Sequence, residues 1–92
     1  MSEYLVELYV SRTDALAAER GAERARLAAE EQTRRGIPVR CLRAIYIPDD
    51  ETCLLLFEAG SAQAVRDAAE LAALPFERLA TAIAMEAPSW RR

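Results

Sequence analysis

Ninety-two residues, 52% hydrophobic and 29% charged, make one small domain close to the size at which a lone core is only modestly stable. The net charge of −3 argues against a nucleic-acid partner held by phosphate contacts. Every basic residue is arginine: there is no histidine for a triad, a general base or a metal ligand, and no lysine for Schiff-base chemistry.

No apolar run is long enough to cross a membrane, and Met1-Ser2-Glu3 leads straight into a strand pattern rather than a signal peptide. The cytoplasm is therefore the expected compartment. Two cysteines, Cys41 and Cys53, have no metal-like spacing, and two free thiols fit a reducing environment. No metal and no cofactor is expected. The arginine- and alanine-heavy composition suggests a GC-rich bacterial source.

Glu3 to Val10 alternates, with Tyr4, Val6, Leu8 and Val10 on one face and Leu5, Glu7 and Tyr9 on the other, as in a half-buried strand. Ser11 with Asp14 resembles a capping box, and Thr13 is a rival cap. A helix is predicted from there to about Arg35, stopped by Gly36. Its apolar stripe is thin: Leu16, Ala17, Gly21, Ala25 and Ala28, with Leu27 at one edge. Gly21 in mid-helix points to a close backbone approach or a kink. Arg26–Glu30, Glu30–Arg34 and Glu31–Arg35 are spaced to pair along a solvated face.

Val39 to Ile47 and Thr52 to Ala59 read as a β-hairpin around Pro48-Asp49-Asp50-Glu51. Ile47 is expected opposite Thr52, Tyr46 opposite Cys53, Arg43 opposite Leu56 and Cys41 opposite Glu58. Leu42, Ala44, Tyr46, Cys53, Leu55, Phe57 and Ala59 then form the core face, with Arg40 at its edge. Cys41, Arg43, Ile45, Leu54, Leu56 and Glu58 form the other, and Arg43 and Glu58 are diagonal neighbours able to pair. Ser61 caps a second helix over Ala62 to Ala73, ended by Leu74-Pro75-Phe76. Phe76 to Leu79 reads as a turn or short helix. Ala80 to Glu86 reads as the last strand, with Thr81, Ile83 and Met85 on one face and Ala80, Ala82 and Ala84 on the other. Residues 88–92 form a tail after a single fold over 1–87, and Trp90 is its natural anchor.

The order β-α-β-β-α-β predicts an α+β, ferredoxin-like fold: a four-stranded antiparallel sheet in the order 4-1-3-2, with two helices on one face. Within it, strands one and three are expected to be parallel neighbours.

YLVELYV, the segment GIPVRCLRAIYIPDDETCLLLFEAGSAQAV, and Leu74-Pro75-Phe76 before an apolar strand together give the chain a family character. It resembles a family of small, largely uncharacterised bacterial proteins of ferredoxin-like fold that includes a nickel-binding member. The resemblance covers nearly the whole chain. It implies a dimeric α/β barrel with two sheets face to face. Relatives with metal-binding proposals carry histidine near the position of Arg43, where this chain has arginine.

A monomer leaving Leu5, Ile45, Leu54 and Leu56 uncovered would be sticky, which independently favours a homodimer. The candidate ligand-binding residues are Glu7, Tyr9, Cys41, Arg43, Leu56 and Glu58. The expected partner is a small apolar or anionic molecule held between the sheets, with no nucleic acid and no membrane. A cofactor-independent enzyme of monooxygenase or isomerase type, with Glu7 or Glu58 as general base, is the alternative. A structural or accessory subunit without a ligand is the third reading.

Overall fold

The computed structural model describes residues 1–86; the tail and its Trp90 lie outside the described residues. The elements run in the order β1 (Ser2–Tyr9), α1 (Ala15–Arg34), β2 (Val39–Ile47), β3 (Thr52–Ala59), α2 (Ala62–Leu71) and β4 (Phe76–Ala82). The four strands form one sheet in the order β2-β3-β1-β4, and every neighbouring pair is antiparallel. This is the ferredoxin-like α+β fold. Among the described residues, no helix is long and apolar enough to cross a membrane.

The expected parallel pairing of strands one and three is wrong. A crossover through a helix makes β1 and β2 parallel, and the hairpin reverses β3, so the strand inserted between them must run against both.

Sequence-local signals place the helix ends. The Asp14 carboxylate accepts from the Ala17 N–H and begins α1; Ser11 instead accepts from the Thr13 N–H one turn earlier. Gly36, at φ +91°, closes the other end. The Gly36 N–H donates to Thr33 and the Ile37 N–H to Gln32, the paired bonds of a left-handed C-cap. The end of α2 is built the same way, from Ala73 to Glu70 and Leu74 to Ala69, but with Ala73 in the left-handed region at φ 57°. The Ser61 hydroxyl caps its start by accepting from Ala64.

The core lies between the helices and one sheet face. Val6, Leu55 and Phe57 are wholly buried there. Alanines Ala18, Ala25, Ala28 and Ala29 bring α1 close to the sheet, while Leu16 and Leu27 lie exposed, so the buried stripe is turned away from the expected one. A Cβ at the buried Gly21 would lie 3.6 Å from Leu74, an ordinary contact, so the packing does not demand glycine. On the outer face of α1, Arg26 pairs with Glu23 and Glu30, and Glu31 with Arg34 and Arg35; the expected Glu30–Arg34 pair is not made.

Two strands depart from expectation. β4 begins at Phe76 and ends at Ala82, four residues earlier than predicted. Ile83 and Met85, expected within it, lie past its end and are exposed. Pairing with β1 decides this placement, since alanine-rich residues have little strand preference of their own. In β2, Leu42 is an extra residue in a β-bulge. The bulge reverses the side-chain alternation before it, so Cys41 faces Phe57 and Arg40 faces Glu58.

Candidate functional site

The helix-free face of the sheet is built of cross-strand rows. Arg40, Glu58, Glu3 and Ala82 form the first; Arg43, Leu56, Leu5 and Ala80 the second. Ile45, Leu54, Glu7 and Arg78 form the third. Ile47, Thr52 and Tyr9 complete the face near the hairpin turn. Leu5, Leu54 and Leu56 are half-buried, and Ile45 is 45% exposed.

Five of the six predicted residues share this face: Glu7, Tyr9, Arg43, Leu56 and Glu58. Cys41 does not. The bulge turns it to the helix side, where it packs on the core and burial pushes its thiol pKa up. Cys53 is buried on the same side and its thiol is also raised by burial. Both cysteines are free and act as small apolar groups. Their expected placement on opposite faces does not hold.

The predicted Arg43–Glu58 contact is replaced by another. Arg40 lies directly across from Glu58, with Arg40 Nη1 3.4 Å from Glu58 Oε1. Glu7 has its own partner, Arg78 on β4, at 3.9 Å. Glu7 and Glu58 sit four residues apart in the register, roughly 13 Å along the strands, and do not act as a carboxylate pair. Glu3 lies directly opposite Glu58, and the Arg40 guanidinium offsets this like-charge pair. The Arg43 guanidinium makes no hydrogen bond or ion pair among the described residues.

Tyr9 is drawn away from the centre. Its hydroxyl donates to Glu51 Oε2 at 3.4 Å. The same oxygen accepts from the Arg12 N–H at 3.1 Å, which holds the Glu51 carboxyl below its ordinary range. Glu51 itself sits in the left-handed region at φ 51°. This cluster ties the start of the first connection to the hairpin turn. On the other side of the sheet, the Tyr46 hydroxyl donates to the Ser11 carbonyl and secures the same connection.

Sequence reasoning missed Glu3, Arg40 and Arg78. Glu3 was legible, because it shares the parity of Leu5 and Glu7. Arg40 needed the bulge, and Arg78 needed the true position of β4.

The concavities of the described residues lie elsewhere. A groove of about 570 Å³ runs between α1 and the β2 edge, with Cys41, Leu42 and Ala44 on one wall and Ala22 on the other. Its rim carries Glu19, Glu23 and Arg26, and Arg43 borders it from the strand. A second groove of about 500 Å³ continues past Arg26 toward Thr33. Among the described residues, no group of three metal-ligating side chains comes together. Comparison of the chain with models of protein families, with curated proteins and with solved structures finds no match.

Proposed function

We propose that the chain is a homodimeric small-molecule-binding protein, with its ligand held between two open sheet faces. The observation that carries this reading is the composition of that face. It presents Leu5, Leu54, Leu56 and Ile45 among three carboxylates, Glu3, Glu7 and Glu58, and three guanidiniums, Arg40, Arg43 and Arg78. The charges are arranged by strand. β2 at one edge is basic, β1 and β3 at the centre are acidic, and β4 at the other edge is basic. Such a face has no net charge, so packing it on a second copy across a two-fold axis accumulates none. Sheets packed face to face stand about 10 Å apart, and the small Ala80 and Ala82 at one edge leave space between them.

The paired carboxylates favour binding over catalysis. Glu7 is engaged by Arg78 and Glu58 by Arg40, so each candidate base already has a cationic partner. The dimeric barrel implied by the family resemblance has the same plan, but the reading stands on the sheet alone.

Native mass spectrometry of the purified protein is the test. A dimer, bearing an adduct of small-molecule mass or gaining one on incubation with a metabolite extract, is expected. A monomer at micromolar concentration would overturn the reading.

A further inference from the structure

Arg43 stands apart from the other arginines of the open face. Arg40 and Arg78 are each taken up by a carboxylate, whereas Arg43 has no acidic partner among the described residues. Its place in the register explains why. Directly across from it are Leu56, then Leu5, then Ala80, so its row offers no carboxylate at all. The two neighbouring rows are the ones that hold Glu58 and Glu3 on one side and Glu7 on the other. The middle row is thus a cation at one end, two leucines, and a small residue at the far end.

Enclosing that row in a dimer makes the unpaired guanidinium costly unless an anion meets it. A planar carboxylate suits it, because guanidinium and carboxylate can join through two parallel hydrogen bonds. From β2 to β4 the row spans three inter-strand spacings, roughly 14 Å. That is the length scale of an extended ten-carbon acid. The leucines offer such a chain apolar surface, and Ala80 leaves room for its end.

We propose that the middle row of the open face binds an amphipathic monocarboxylate, with its carboxylate on Arg43 and its apolar chain over Leu56, Leu5 and Ala80. The proposal rests on the dimer reading above and adds the chemical class of the ligand.

Decanoate and the uncharged decanol are the probes, titrated by calorimetry into wild-type protein and Arg43→Gln, with the oligomeric state of each followed by sedimentation velocity. Arg43 is exposed and makes no contact that the fold needs, so the variant should stay folded and dimeric. The expected result is saturable decanoate binding by the wild type, weakened tenfold or more in Arg43→Gln, with decanol indifferent to the substitution. Equal decanoate binding by the two proteins would overturn the role of Arg43. A dimer that takes up no decanoate would overturn the ligand class while leaving the dimer intact. A monomeric wild type would overturn both.

Discussion

On β1 and β3, Val6, Leu55 and Phe57 are wholly buried, while Leu5, Leu54 and Leu56, one position along the same strands, are only half covered. The residue types are similar; what differs is the layer above them. On one side α1 and α2 press alanines against the sheet, and on the other the described residues place nothing. The covered face is packed to exclude water and carries its polar groups at the ends. The open face intersperses leucines with ion pairs, and it is the face through which we propose the chain dimerises. Fold stability should therefore be concentrated on one face and association on the other.

The strongest challenge to that division is Phe57→Ala. It empties a wholly buried site and should cost about 3–5 kcal/mol in urea unfolding, enough to leave little folded protein. A cost below about 1 kcal/mol would mean that the covered face is not the core. Leu56→Asp, one residue earlier, should leave the circular dichroism of the fold unchanged. It should shift the proposed dimer toward monomer in sedimentation velocity by tenfold or more in Kd, because it removes apolar contact from the middle of the face and sets a third carboxylate beside Glu58 and Glu3. Unfolding by this substitution would erase the contrast between the faces.

Smaller effects sharpen the account of the helix layer. Ala73→Gly relieves a left-handed residue at the end of α2 and should stabilise by about 1 kcal/mol in thermal unfolding. Gly21→Ala should also stabilise, by up to about 1 kcal/mol, since the new methyl meets Leu74 at an ordinary distance. A loss instead would mean that Leu74 cannot accommodate the added methyl.

The smallest effect is one of pH. The Arg12 N–H holds the Glu51 carboxyl below its ordinary value of 4.5. A depressed folded-state pKa stabilises fully above the unfolded value, and that stabilisation fades as pH falls through the folded one. The Tm of the wild type should therefore drop more steeply below about pH 4.5 than that of Glu51→Gln, which has no carboxyl there to protonate. Parallel curves would show that the Tyr9–Glu51–Arg12 cluster does not support the fold.

Much of this was written locally. The alternation of Tyr4, Val6 and Leu8 places them under the helices. Asp14 was read only as the capping-box partner of Ser11, with Thr13 as the rival cap, and the geometry of the connection makes Asp14 itself the cap. The pairing of Tyr46 with Cys53 and of Arg43 with Leu56 follows from the length of the Pro48–Glu51 turn. Past Leu42 the same counting fails, and with it went the faces of Cys41 and Arg40.

The sequence by itself determined the element order, the ferredoxin-like topology and the face assignment of β1 and β3. Side-chain period, capping residues and turn chemistry act over a few neighbouring positions, and those signals agree here. Tertiary structure alone decided the bulge at Leu42, the start of β4 at Phe76 and hence the pairs Arg40–Glu58 and Glu7–Arg78. A bulge costs one ladder position locally and is repaid by packing elsewhere, and an alanine-rich strand takes its register from the strand it joins. Neither choice is recorded in the residues that make it.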